Sequence, residues 1–486
     1  MVSFLLSILA LVLGYIFYGA VVERMFRPDP KRPTPAITKA DGVDFVALPS
    51  WKVFMIQFLN IAGTGPIFGA IMGAKFGPAS YLWIVFGCIF AGAVHDYMCG
   101  MLSMRNGGAG FPDLVGKYLG KGARSVMLVF SLLLLLLVGT VFVYSPALIL
   151  GHVAGDGTRT AIMIWVGAIF LYYVVATLLP IDQLIGRLYP VFAFALLFMA
   201  AALLVCLLVK WPSLPELWDG LGGWNEKAGI GSQPIFPCLF ITIACGAVSG
   251  FHATQSPLMA RCLKNEKMGR PVFYGSMITE GLVALVWAAV ASWFFFDGGA
   301  QELGAPASAP APAVVTAVSK GWLGVFGGVL AMLGVVAAPI TSGDTAFRSA
   351  RLIIADFFHS EQKKLARRLL IAVPMFLGSA LLLWYSIADE NGFNTIWRYF
   401  GWSNQTLAAI MLWTATAYLV QRDKGGRLWY LLTLLPALFM TATCTTFILV
   451  DKIGFGVRAS AAPVIGLCTF AVGAILFYLL KHFKVK

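Results

Sequence analysis

The 486-residue chain is poor in charge, with only 12% Asp, Glu, Lys and Arg together. A soluble domain carries about 25%, so a string of soluble domains is excluded. It has eight cysteines (Cys88, Cys99, Cys206, Cys238, Cys245, Cys262, Cys444, Cys468) but no CxxC pair, so neither a disulfide framework nor a zinc site is indicated. HExxH, GxSxG and GxxxxGK[ST] are all missing, which argues against a metalloprotease, a serine hydrolase and an ATP-driven pump. The first residues, "MVSFLLSILALVLGYIFYGAVVER", lack a basic leader and a small-residue cleavage site. They read as a retained helix.

What fills the chain instead is apolar: 59% of residues are hydrophobic. Runs long enough to span a bilayer, about 20 residues each, begin near residues 3, 51, 79, 123, 160, 186, 234, 270, 323, 366, 393, 428 and 461. The net charge of +13 raises the question of nucleic acid. Its Lys and Arg fall in short clusters between the runs, the pattern of cytoplasmic loops, so no nucleic-acid partner is expected. Alternate loops are basic, including the cluster Arg348, Arg351, Lys363, Lys364, Arg367 and Arg368. The intervening loops hold only Lys75, Arg159, Lys210, Lys227, Lys320, Lys452 and Arg458. That asymmetry places the N-terminus outside and the C-terminus in the cytoplasm.

Two runs are interrupted where a spanning helix should hold its backbone bonds. The second breaks at "NIAGTGP" and the seventh at "ACGAVSGFHATQSP", residues 244–257. Gly and Pro are the poorest helix formers, and each freed backbone group costs several kcal/mol in hydrocarbon unless something polar answers it. Five spans separate the two breaks. The chain therefore divides into an N-terminal helix and basic loop (1–50), a first five-helix repeat (51–210), an outer loop (211–233), a second repeat (234–420) inverted relative to the first, and two C-terminal helices (421–486). A second outer loop, 298–313, is Ala/Pro-biased and reads as extended. The expected fold is all-α and polytopic, with about thirteen spans.

Paired broken helices point to a secondary transporter whose guest sits at midplane and supplies the missing backbone partners. The candidate substrate residues are Asn60, Gly63, Thr64, Gly65, His252, Thr254, Gln255 and Ser256. Ionisable groups at membrane depth are costly, so each is a functional candidate. His95 and Asp96 in the third span, Glu280 in the eighth and Asp344 in the ninth are the candidates for proton coupling. His95 and Asp96 point about 100° apart on a helix, so the two are not expected to face one partner. Asn404 and Gln405 are read as interhelical ties or as path lining. Thr341 and Ser342 offer hydroxyl oxygens suited to a hard cation, or bond their own backbone at Pro339.

The stretch 49–108, with "LNIAGTGPIFG" and "AGAVHDY", closely resembles the carbon starvation protein (CstA) family of bacterial inner-membrane carriers. "SGFHATQSP" and "TSGDTAFRSARL" resemble its second-half motifs, and the likeness extends over roughly residues 5 to 450. Many members run longer at the C-terminus. The resemblance implies ion-coupled uptake of a small carboxylate or peptide, pyruvate among them. It also implies kinship with the amino acid–polyamine–organocation superfamily and its LeuT-like 5+5 inverted repeat. In that fold Thr341 and Ser342 match a sodium site completed by backbone carbonyls of Asn60 to Gly63, while Asp344 favours a proton. No other cofactor is expected. The partners are a small solute and membrane lipid, with monomer and homo-oligomer both open. The competing reading is a membrane nutrient sensor or scaffold that binds a metabolite without moving it.

Overall fold

The structure is a computed structural model that describes residues 1–42, 44–153, 155, 157–178, 181–231, 233–358, 365–389, 392–424 and 426–484. Every regular element among them is helical. In chain order these are α1 (Val2–Phe26), α2 (Ser50–Ile61), α3 (Gly65–Ala74), α4 (Ala79–Arg105), α5 (Phe111–Leu119), α6 (Lys121–Val153), α7 (Arg159–Leu178) and α8 (Ile181–Lys210). The second half continues with α9 (Ile235–Thr242), α10 (His252–Ala260), α11 (Glu266–Phe296), α12 (Ala311–Phe357), α13 (Leu365–Ala388), α14 (Gly392–Arg422), α15 (Leu428–Val450) and α16 (Ala462–Lys484). Among the described residues, nine helices are long and apolar enough to cross a membrane, and α2 with α3 forms a bent tenth. The spans expected near 234, 323 and 393 fall on the α9–α10 pair, on α12 and on α14.

Both expected breaks are present. α2 ends at Ile61, Ala62 leaves helical geometry (φ −80°, ψ 61°), and the chain bends by 55° into α3. α3 opens on Gly65-Pro66, where the missing proline N–H removes nothing because first-turn donors have no intrahelical partner. The second break, residues 243–251, separates α9 from α10. The two broken spans run antiparallel and touch along their length. Gln57 Nε2 donates to Ser256 Oγ at 3.1 Å. A Cβ on Gly65 would lie 2.3 Å from Cys245 Cβ, and one on Gly73 would lie 2.2 Å from Ile243. Glycine at 65 is what lets the breaks cross.

Neighbouring side chains answer the backbone freed at the second break. Asn404 Oδ1, on α14, accepts from the Phe251 N–H at 2.6 Å and from the Ser249 hydroxyl at 3.1 Å. The Asn404 carbonyl accepts from the Gly250 N–H at 3.1 Å. Gln405 Nε2 donates to the Phe240 carbonyl at 2.8 Å, and Trp83 Nε1 to the Ile243 carbonyl at 2.8 Å. Asn404 and Gln405 are thus ties between helices, the first of the two readings above.

Two expectations are corrected. The segment 298–313 is not extended throughout: Gly299–Glu302 is helical, and α12 starts at Ala311. Pro310 caps it and Pro312 sits in its first turn, where proline is well tolerated. α12 then turns at Gly324, whose φ of +64° only glycine adopts without strain. Arg348 and Arg351, expected in a basic loop, lie on α12 and are buried at 0% and 1% exposure. The helix continues past them to Phe357, and Arg348 Nη2 donates to the Ala176 carbonyl at 2.9 Å.

Removing the α14 tie should loosen the second break. Asn404→Ala strands the Phe251 N–H and the Ser249 hydroxyl, at about 1–3 kcal/mol for each buried group left unsatisfied. Gly250→Ala places a Cβ 2.2 Å from the Asn404 carbonyl oxygen and 2.4 Å from the Ala408 nitrogen, backbone atoms that cannot step aside. Both variants should unfold at lower temperature in detergent, while Gly122→Ala, with open space around it, should match the parent. Equal melting of all four proteins would show that the tie carries no stability.

Candidate functional site

Four ionisable side chains from three elements meet beside the second break. His252 is the first residue of α10, freed to face inward because the chain before it is unwound. Its Nδ1 lies 2.8 Å from Asp96 Oδ2, on α4, and its Nε2 lies 3.5 Å from Glu280 Oε2, on α11. His95 Nδ1 lies 2.7 Å from Asp96 Oδ1. All four are 0% exposed. His95 and Asp96 therefore share one cluster after all. The two backbone directions do diverge, but the imidazole of His95 turns back onto its neighbour's carboxylate, and Asp96 bridges two histidines. His95 Nε2, His252 Nε2 and both Glu280 oxygens have no hydrogen-bond partner. Cys245, set aside in the sequence for want of a CxxC partner, joins this group from the unwound stretch.

The first break presents a different surface. Asn60 Nδ2 and Oδ1 and Thr64 Oγ1 are buried without partners. Gly63 is covered by Phe142, whose ring would meet an added Cβ at 2.5 Å, and Gly65 by Cys245. On α10, Thr254 Oγ1 donates to the Phe251 carbonyl at 2.7 Å, Gln255 Nε2 lies 2.8 Å from Thr254 Oγ1, and Ser256 takes the bond from Gln57. The Gln255 carbonyl oxygen Oε1 is buried and unpartnered.

α12 reaches the same level from the other side. The Ser342 hydroxyl donates to the Leu59 carbonyl at 3.0 Å, just before the first break. The Thr341 hydroxyl lies 2.9 Å from both the Ala337 and Ala338 carbonyls of its own helix, which is the backbone-bonding alternative. Asp344 is fully buried. Its Oδ2 is 2.8 Å from the Tyr189 hydroxyl, which also stands 3.1 Å from the Thr341 carbonyl, and its Oδ1 has no partner. Tyr189 was not legible beforehand, because a tyrosine before a proline in an apolar run has no signature of its own.

A cavity of about 1080 Å³ opens beside the outer halves α3 and α9. It lies on the same side of the bundle as the first residues, where the Ser3 N–H bonds Glu216 of the 211–233 loop at 2.7 Å. Its described lining includes Lys75 and Arg398 and no carboxylate. Lys75 Nζ sits 4.6 Å from the centre of the Phe295 ring, and Arg398 pairs with Asp451 at 3.0 Å. Phe68 and Trp397 belong to its lining. From there aromatic rings contact one another in series, Phe68 to Trp397 (6.1 Å between centres), Trp397 to Phe400 (5.6 Å), Phe400 to Phe142 (6.2 Å) and Phe142 to Phe251 (6.0 Å). None of the candidate substrate residues borders the cavity.

Comparison with known proteins follows this geometry. A membrane protein of Haemophilus influenzae is 45% identical over 339 residues, covering 61% of this chain and 91% of its own. The peptide transporter CstA of Campylobacter jejuni is 26% identical over 88% of this chain and 77% of its own. The pyruvate/proton symporter BtsT of Escherichia coli is 24% identical over 91% and 80%. Among solved structures, MhsT in complex with L-phenylalanine superposes with a TM-score of 0.56 at 14% identity, covering 86% of this chain and 98% of that one. That likeness establishes the all-helical LeuT-like fold. The carbon starvation protein CstA family matches residues 1–164, 152–322 and 296–447, and the chain belongs to that family.

Proposed function

We propose that the chain is a proton-coupled secondary transporter, not an enzyme, that imports a small carboxylate such as pyruvate across the bacterial inner membrane. The Met1 side faces outward. The observation that carries this reading is the crossing of two broken helices at Gly65 and Cys245, with the unpartnered Asn60 and Thr64 polar atoms beside it. A solute carboxylate would engage those groups and the amides around Gly63–Gly65, the use to which broken helices put their ends. His252, Thr254, Gln255 and Ser256 stand on the facing helix and complete the walls.

The cavity supports an anion over a dipeptide. Lys75 raises the local concentration of negative solute, Arg398 being paired with Asp451, and no described carboxylate lines the cavity to hold a peptide's ammonium. Relatives bearing both peptide and pyruvate names leave the two classes to be compared directly. For the proton we infer Asp344. It is a buried carboxyl whose one oxygen takes the Tyr189 hydroxyl and whose other has no partner among the described residues, two residues beyond the Ser342–Leu59 link to the first broken helix. Intramembrane carboxyls in such positions serve proton relays. Alternating exposure would follow from parting the aromatic series on one side and the α10 end on the other.

In proteoliposomes, an inward proton gradient should drive accumulation of labelled pyruvate. Asp344→Asn should lower gradient-driven uptake by at least tenfold yet keep exchange of internal for external pyruvate. Dependence on sodium in place of protons would move coupling to Ser342. Saturable binding without flux of pyruvate or dipeptide under either gradient would make the chain a sensor. A second measurement reads the cavity: Lys75→Gln should raise KM for pyruvate several-fold at low ionic strength with little change in maximal rate, and the effect should fade in high salt.

A further inference from the structure

Cys245 and Glu280 are members of the buried cluster to which the transport reading gives no task. Cys245 is 1% exposed. Its Sγ, a ring nitrogen of His252 and a carboxylate oxygen of Glu280 all lie within 4.8 Å of one another. The edge from His252 Nε2 to Glu280 Oε2 is 3.5 Å. Around a tetrahedral zinc ion with nitrogen and oxygen ligands at about 2.1 Å, neighbouring ligand atoms stand about 3.4 Å apart. Small side-chain rotations would bring the sulfur to the same radius.

The surroundings fit ligation as well. Asp96 holds Nδ1 of His252 at 2.8 Å, which fixes the tautomer and turns the Nε2 lone pair toward Glu280 and Cys245. A carboxylate behind a histidine is the usual outer support of a metal-bound imidazole. Nε2 and Glu280 Oε2 face each other at 3.5 Å, and among the described residues neither they nor Glu280 Oε1 makes a hydrogen bond. The sulfur is 3.6 Å from Asn404 Nδ2, a donor that suits a thiolate, and 3.5 Å from Ser249 Oγ, whose proton goes to Asn404 Oδ1. Two carboxylates enclosed in apolar surroundings are expensive unless compensated, and a divalent cation supplies that compensation.

We propose that Cys245, His252 and Glu280 form a three-ligand site for a zinc-class divalent ion, with Asp96 orienting His252 from behind. One sulfur, one nitrogen and one oxygen make a borderline-soft donor set, which selects such ions over calcium or magnesium with their all-oxygen shells. The three ligands come from the unwound stretch, from α10 and from α11. The ion would therefore fasten the inner half of the broken helix to its neighbour. The site stands on this geometry and not on the identity of the transported solute.

The test uses the full chain purified in detergent, stripped with chelator and titrated with Co²⁺ and then Zn²⁺. One Co²⁺ per chain should bind and give a thiolate-to-cobalt charge-transfer absorption, which Zn²⁺ abolishes by displacement. Zn²⁺ should also raise the unfolding temperature. Cys245→Ser should lose the charge-transfer band although seven thiols remain. Glu280→Gln keeps all eight thiols and should weaken Co²⁺ binding at least tenfold, and Asp96→Asn should weaken it by about 10–100-fold while keeping the band. Absence of the band in the parent overturns the proposal, as does a band that survives Cys245→Ser, or Co²⁺ affinity unchanged in folded Glu280→Gln. Because none of these readouts measures flux, a failure here is distinct from a failure of the transport reading.

Discussion

A helix opened inside a bilayer must find hydrogen-bond partners for its backbone, and in this protein α14 and α4 provide them. Asn404 takes one N–H through its side chain and a second through its carbonyl, while Gln405 and Trp83 secure carbonyls on the outer flank of the same break. The sequence suggested that a bound guest would complete the backbone. The structure instead completes most of it from within, through α14 and α4. What is left uncompleted is narrower, and it lies on side chains: Asn60, Thr64, Gln255, Glu280 and the outer nitrogens of two histidines. A preformed gap of this kind binds a solute without first having to unwind helix, which removes an ordering cost from binding.

Burial divides the ionisable groups into two sets separated by the first broken helix. One set surrounds His252 and is anchored on α4 and α11. The other sits on α12, where Asp344 meets Tyr189 and where Arg348, one turn further on, donates through Nη2 to the Ala176 carbonyl and has no partner among the described residues for Nε or Nη1. α2 lies between them, linked to the first set's helix through Gln57 and Ser256 and to the second through Leu59 and Ser342. A change of charge on either side reaches the same short helix. Coupling two events through one element with two discrete arrangements is the physical basis of linked binding.

The fold was readable because its determinants are local. Length and apolarity mark the spans, and Gly-Thr-Gly-Pro and the run from Cys245 to Pro257 mark the breaks. The choice of residues near the site was also largely readable, because ionisable side chains are rare at such depth: His95, Asp96, His252 and Glu280 were each singled out and do meet. Their mutual arrangement was not. Whether His95 turns outward or back onto Asp96 depends on a ring rotation that helical periodicity does not encode. Cys245 was discounted because metal-binding cysteines are recognised by close spacing, whereas these ligands are drawn from positions 245, 252 and 280 and meet only after folding. Arg348 and Arg351 were misplaced for a related reason. Counting charges presumes that arginine marks a helix end, and here the helix carries them onward under cover of its neighbours.

The ring series from Phe68 to Phe251 has a consequence for leakage. Five aromatic side chains, Phe68, Trp397, Phe400, Phe142 and Phe251, run in tilted and edge-on contact from the cavity to the second break, and the Trp397 indole carries the one polar hydrogen among them. Such a series offers a proton no run of hydroxyls to hop along, so in the proposed transport reading liposomes holding the protein without solute should lose a proton gradient no faster than empty ones. Each ring swings on its own two torsions, however, and can yield one at a time to an advancing solute. Passage is then a sequence of small openings in which the series is never parted all at once.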